Sequence, residues 1–170
     1  MTTDLVRRLV LVRHSKASHD ADTDLERPLT PKGVTLADQL ARQLRQRLDR
    51  TDLLLVSPAA RARQTAQPLR QRLDPTEVQV HEEIYSHGAS GVLDLVAEHA
   101  RSARSVVVVG HEPTVSVLAH TLHDTDDDLG TQVSFGVPTA TAVLIDVPSR
   151  WEDLAPGGGR IREILTVRRH

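Results

Sequence analysis

Three short runs of uninterrupted apolar residues stand out along the chain, and each stops at a polar or charged group. Leu9 to Val12 stops at Arg13-His14, Leu53 to Val56 stops at Ser57, and Val106 to Val109 stops at Gly110-His111. A run without polar alternation suits a strand covered on both faces, as in parallel sheets. The first strand is predicted over Leu5 to Val12, the second over Asp52 to Ser57, and a fourth over Ser105 to Gly110. A shorter third one falls at Val78 to Val80.

Between the runs the period changes from continuous to helical. Thr30-Pro31 opens a helix, with Thr30 as N-cap and Pro31 at the first helical position, where its missing N–H costs nothing. Ala37, Leu40, Ala41, Leu44 and Leu48 give that helix an apolar stripe. Ser57-Pro58 repeats the cap-plus-proline pattern and predicts a helix to about Leu73, with Ala62, Ala66, Leu69 and Leu73 inward. Glu82 to Gly88 reads as a loop, after which Ser90 caps a helix carrying Leu93, Val96 and Ala97. Pro113 to Leu122 is a further helix, with Val115, Leu118, Ala119 and Leu122 inward. Thr141 to Val147 and Ile161 to Val167 read as strands joined through Pro156 to Gly159, with no helical pattern between them. They are expected to pair antiparallel as a long-looped hairpin. The expectation is an α/β fold: a three-layer α/β/α sandwich around a mostly parallel sheet with a C-terminal antiparallel hairpin.

Composition narrows the function classes. With 170 residues, one domain spanning 1–170 is expected, and a chain of this size buries roughly 70% of its unfolded surface. Aromatics are only 2%, so Leu, Val and Ala must build the core. The net charge of −2 argues against a general nucleic-acid binder, and stacking platforms for single strands are missing. There is no cysteine, which excludes disulfides, zinc–thiolate sites and thiol nucleophiles. The apolar runs are far short of a membrane span, and Met1-Thr2-Thr3-Asp4 does not open a signal-like segment, so a cytoplasmic location is expected. Asp124 to Asp128 lacks the glycine and distal glutamate of a calcium loop and reads as solvated surface. His120 and His123 share a helix face but have no third ligand, so no metal site is expected.

In an open α/β sheet, ligands bind outside the carboxyl ends of the strands. Three strand ends here carry Arg13-His14, Ser57 with Arg61 one turn into the next helix, and His111. Two arginines, two histidines and a helix N-terminus would make an anion-favouring pocket. The guanidinium fork suits a phosphoryl group, whose charge spreads over its equatorial oxygens in transfer. A neutral imidazole in such a cage can attack phosphorus and hold it covalently. The arginines supply the positive charge, so no cofactor is expected.

Arg13-His14-Ser15, the stretch Ser57 to Thr65 with Arg61 inside it, and Val109-Gly110-His111 resemble the motifs of the histidine phosphatase (phosphoglycerate-mutase-like) superfamily. The resemblance runs in order from about Leu9 to Leu122. Arg13 to Ala17 followed by Glu26 to Gly33 is similar to the small SixA-type branch, the phosphohistidine phosphatases. The resemblance implies that His14 is the nucleophile that becomes phosphohistidine. Arg13 and Arg61 would bind phosphate, and His111 would complete the cage. Arg63 lies two residues beyond Arg61, roughly 200° around a helix, and is expected at the surface. A general acid is implied from the loop after the third strand, where Glu82 and Glu83 stand; Glu83 fits the family context better. Lys16 and Arg27 are candidate rim contacts to substrate.

The chain departs from the commonest pattern twice. Ser15 stands where Gly is usual and could donate its hydroxyl to the phosphate. Glu112 follows His111, and a carboxylate turned toward an anion site would oppose phosphate, so it is expected to point outward as a helix N-terminal residue. The arginines are expected to depress the pKa of His14. The interval from Arg61 to His111 already holds a strand and a helix, leaving no long insertion for a lid. That suits phosphohistidine displayed on a protein better than a small phosphorylated metabolite. A member that binds phosphoproteins or nucleotides without turnover, and a noncatalytic interaction module, are the competing classes; turnover of a phosphate substrate separates them.

Overall fold

The computed structural model describes residues 6–167; Leu5, the expected start of the first strand, lies outside them. One sheet has the strand order β3-β2-β4-β1-β5-β6. Its members are β1 Arg7–Arg13, β2 Leu53–Val56, β3 Glu77–Val80, β4 Ser105–Gly110, β5 Thr141–Val147 and β6 Arg160–Thr166. The β3-β2, β2-β4 and β4-β1 pairs are parallel. β5 runs antiparallel to both β1 and β6. This is the mostly parallel sheet with a C-terminal antiparallel hairpin that the apolar pattern predicts.

The continuous apolar runs are explained by the two faces they serve. In β1, Leu9 and Leu11 join one core cluster while Val10 and Val12 join the other. Val106 and Val108 in β4 likewise face away from Val107 and Val109. One face is covered by α1 Pro31–Arg47 and α2 Ala60–Leu73, through residues such as Leu40, Leu44 and Leu69. The other is covered by α4 Gly88–His99, α5 Thr114–Leu122 and α6 Asp128–Ser134, through Leu95, Leu118 and Val133. Each fully buried aliphatic side chain contributes about 1.5–3 kcal/mol relative to exposure, so the two clusters fix which strands lie at the centre.

Local signals set the helix starts. Thr30 Oγ1 accepts the Gly33 N–H at 2.9 Å, the cap expected from Thr30-Pro31. A Cβ on Gly33 would meet the Lys16 carbonyl oxygen at 2.1 Å, so only glycine lets α1 approach the loop after β1 this closely.

Four expectations are corrected. Ser57 is not the N-cap of α2: Ala59 holds that position without a side-chain bond, and Ser57 serves the site described below. Glu82 to Gly88 is not all loop, because Glu83–Ser86 forms the short helix α3, ahead of α4. Ser90 lies inside α4 rather than capping it, and the fully buried residues there are Val92, Leu95 and Val96, with Leu93 and Ala97 only half-buried. Between α5 and β5, where no helix is expected, Asp127 Oδ1 accepts the Gly130 N–H at 2.9 Å and starts α6. The only tryptophan, Trp151, is fully buried in a short 3-10 turn and donates its Nε1–H to the Ala103 carbonyl. Among the described residues, no helix is long and apolar enough to cross a membrane.

Candidate active site

Strand register brings the candidate residues together. Val12 pairs with Val109 and Val56 pairs with Val109, so β1, β4 and β2 end at one level. Adjacent strands lie about 4.8 Å apart. The next residues, Arg13, Gly110 and Ser57, therefore share an edge, and His14 and His111 follow directly. The His14 N–H bonds to the Gly110 carbonyl and the Ser57 N–H to the Val109 carbonyl, extending the ladders past the strands. The imidazoles of His14 and His111 sit 5.3 Å apart at 55°. Arg13, His14, Arg61 and His111 line one open cavity of about 410 Å³, with Lys16 and Arg27 at its edge.

His14 is nearly buried, and its Nδ1 lies 2.7 Å from the Ser15 carbonyl oxygen. A carbonyl can only accept, so Nδ1 carries the proton and the neutral ring keeps its lone pair on Nε2. This is the orienting partner that sequence reasoning could not identify. The pKa of His14 is lowered to about 4, chiefly by burial, with Arg61, Arg13 and Arg27 adding to the effect against the Ser15 bond. The expected arginine effect is present, but desolvation leads it. His111 is lowered to about 4 as well, by burial first and then by His14 and Arg61. Both rings are thus neutral at pH 7.

Arg61 is buried in the first turn of α2 and Arg63 is exposed, as the helical angle requires. Arg61 Nη1 donates to the Asp24 carbonyl at 2.7 Å and Nη2 to Asp24 Oδ2 at 3.0 Å. Asp24 also accepts from the Tyr85 hydroxyl at 2.7 Å and from Arg27 Nη1 at 3.1 Å. These donors, Tyr85 first, hold its carboxyl well below the usual carboxylate range. The Tyr85 ring meets His111 edge-on at 5.5 Å. Arg13 Nη1 donates to the Val137 carbonyl at 2.7 Å. The buried Nε of Arg13 and Nδ1 of His111 have no hydrogen-bond partner among the described residues.

Not every sequence candidate arrives at the cavity. Ser15 is fully buried and its hydroxyl donates to the Gly33 carbonyl at 2.7 Å, tying the end of β1 to α1; it does not line the cavity. Glu83 does not line the cavity, and its carboxylate lies 3.7 Å from His81 Nδ1; Glu82 is also outside it. Glu112, expected to point outward, instead lines the cavity and is half-buried, because its two oxygens accept the N–H groups of Ser116 and Val137. Lys16 is exposed at the rim, and Arg27 is half-buried with Nε on the Ser18 carbonyl. Asp24, and Tyr85 as a partner of Asp24, are additions to the sequence reading. Only their three-dimensional neighbours mark them, since a carboxylate in a polar loop reads as solvated. His123, one of the unassigned histidines, is spent structurally: Nε2 lies 2.7 Å from Asp127 Oδ1 and Nδ1 accepts the Ile161 N–H.

Residues 9–85 match the model of the histidine phosphatase superfamily, branch 1. The uncharacterised protein Rv1276c of Mycobacterium tuberculosis is 32% identical over 150 residues, covering 86% of this chain and 93% of that one. A solved structure from Nakamurella multipartitia, assigned as the phosphohistidine phosphatase SixA, superposes with a TM-score of 0.86 at 31% identity, over 94% of this chain and 95% of that one. The SixA-assigned structure from Agrobacterium tumefaciens gives 0.79 at 28% identity, over 95% and 98%. The chain belongs to the histidine phosphatase superfamily, in its SixA-type branch.

Proposed function

We propose that the protein is a phosphatase that works through a phosphohistidine intermediate on His14 and removes phosphate from phosphohistidine on a protein. The observation that carries this reading is the fixed tautomer of His14: with Nδ1–H committed to the Ser15 carbonyl, the Nε2 lone pair is free in a cage bounded by Arg13, Arg61 and His111.

The reaction has two steps. His14 Nε2 attacks phosphorus, the bond to the leaving nitrogen or oxygen breaks, and the electron pair leaves with that group. Arg13 and Arg61 stabilise the equatorial oxygens as charge spreads over them. Water then attacks phospho-His14, returning the electron pair to Nε2 and releasing inorganic phosphate. A phosphohistidine substrate departs as imidazole once its ring is protonated, so it demands less of an enzymic acid than an alkoxide does. That suits a site where Glu83 stands outside the cavity and Asp24 is held ionised.

The open cavity also favours a phosphate presented on a protein surface. The segment between β3 and β4 is spent on α3 and α4, and α4 packs into the core on the face it covers. A second reading, hydrolysis of a small phosphomonoester, draws on the cavity volume of about 410 Å³, which falls within the range that holds small ligands.

Assay of wild type and His14→Ala on a phosphohistidine carrier protein and on p-nitrophenyl phosphate tests both. Wild type is expected to clear the carrier protein, and a rapid acid quench should trap an acid-labile phosphate on His14. Turnover of the small ester alone would transfer the assignment to the second reading, and inactivity on both would end the enzyme reading.

A further inference from the structure

The geometry points to Glu112 as a positioning residue that sets the place of Arg13 through the backbone of Val137. This rests on the reading of the cavity as a phosphate cage and adds a residue to it.

A carboxylate at the edge of an anion site should weaken anion binding, so its presence there calls for a compensating role. Glu112 Oε1 accepts the Ser116 N–H at 2.7 Å, within the first turn of α5. Glu112 Oε2 accepts the Val137 N–H at 3.0 Å, in the segment joining α6 to β5. The carbonyl of the same Val137 accepts from Arg13 Nη1 at 2.7 Å. Both sides of one residue's backbone are therefore engaged, the amide by Glu112 and the carbonyl by Arg13. Holding the amide restrains Val137, and with it the place from which the carbonyl meets the guanidinium.

The same segment reaches the nucleophile. The Ala140 N–H donates to the His14 carbonyl at 3.1 Å, with Ala140 itself at φ +53°. Gly136 sits at φ +91°, and a Cβ there would come within 3.2 Å of Glu112 Oε2. A loop that turns twice through the left-handed region, between a helix and a strand, needs an anchor part-way along. Glu112 supplies it from just before α5, where the helix N-terminus also favours its charge. The carboxylate is the acceptor best matched to this task, because each oxygen can take one N–H. A glutamine offers a single acceptor oxygen and must release one of the two amides.

A double-mutant cycle on inorganic phosphate affinity, measured by titration calorimetry, tests the relay in wild type, Glu112→Gln, Arg13→Lys and the double variant. Glu112→Gln keeps the side-chain size and removes a negative charge near the ligand. It is nonetheless expected to weaken phosphate about fivefold in the wild-type background. In the Arg13→Lys background, where no fork donates to Val137, the further loss should be under twofold. Tighter phosphate binding by Glu112→Gln would overturn the proposal by showing the carboxylate to be a repulsive charge only. Equal weakening in both backgrounds would overturn it by showing that Glu112 acts on the fold and not through Arg13. Phosphate binding needs no turnover, so the cycle stands apart from the chemistry of His14. A wild type that binds no phosphate defeats the cage and the relay together. One that binds phosphate with independent effects of the two substitutions defeats the relay alone.

Discussion

Ser57 Oγ lies 2.7 Å from His111 Nε2, joining the ends of two adjacent parallel strands by one side-chain hydrogen bond. Ser57 also accepts the Ala59 N–H at 3.3 Å, so its position is fixed from the backbone side and the ring of His111 from the hydroxyl side. Ser57→Ala removes the one partner of that imidazole among the described residues and leaves a second unpaired nitrogen beside the already unpaired Nδ1. An unpaired buried polar group costs about 1–3 kcal/mol. The expected outcome is a roughly tenfold lower kcat/KM on the phosphate substrate that wild type turns over. Secondary structure should stay unchanged by circular dichroism, because α2 is capped at Ala59. Wild-type kcat/KM in Ser57→Ala would show that His111 needs no holding.

How much of this was legible in the sequence follows from the range of each interaction. The central strands were readable because Leu9 to Val12 and Val106 to Val109 are buried on both faces and so carry no polar interruption. The start of α1 was readable because its cap is a contact between Thr30 and Gly33, three residues apart. Arg13, His14, Arg61 and His111 were readable because they stand at or just past strand ends, where an open α/β sheet binds ligands. The short helix α6 was not, since seven residues with only Leu129 and Val133 as large apolar positions cannot display a helical period. Nor was the serine at 57 as a partner of His111: its sequence context is identical to a helix cap, and the deciding contact spans fifty-four residues. Asp24 was opaque, and the outward direction expected of Glu112 failed, for the same reason: a carboxylate's role depends on donors that arrive from elsewhere in the chain.

The depressed histidines make stability depend on pH in a definite direction. His14 titrates at about 4 in the folded protein against an ordinary value of 6.5, with burial the first cause and Arg61, Arg13 and Arg27 following. Between these values the unfolded chain holds the proton and the folded chain does not. The stability present above pH 6.5 is therefore lost as pH falls toward 4. His111, also lowered to about 4, acts with the same sign. Each tenfold drop in proton affinity on folding is worth about 1.4 kcal/mol, so His14 alone accounts for on the order of 3 kcal/mol. Urea denaturation at pH 7 and pH 4.5 should show a lower midpoint in acid. The drop should shrink in His14→Gln. A midpoint that stays level between the two pH values would mean the rings are not held neutral.

Glu83 offers a separate check on the leaving-group step. Its carboxylate is directed at His81 and lies outside the cavity lining. Glu83→Ala is expected to change kcat by less than twofold on phosphohistidine protein and on p-nitrophenyl phosphate alike. A tenfold or greater loss confined to the ester would restore it as the proton donor for poor leaving groups, and would require α3 to move toward the cavity during turnover.

Ser15 separates a structural from a ligand-binding hydroxyl. Its Oγ proton is committed to the Gly33 carbonyl at 2.7 Å, and its N–H donates to Thr65 Oγ1 at 2.9 Å. The residue thus ties the end of β1 to both α1 and α2. Ser15→Ala keeps the backbone bond and loses the hydroxyl bond. Gly33 O is a carbonyl inside a helix and keeps its helical partner, so the loss is that of one net hydrogen bond, about 1 kcal/mol. For a chain of this length that corresponds to a fall in Tm of about 2–4 °C. Phosphate affinity should stay within twofold of wild type, because the hydroxyl does not face the cage. Calorimetric melting and phosphate titration on the same sample read the two effects independently. A tenfold loss of phosphate affinity at an unchanged Tm would place the hydroxyl on the ligand instead.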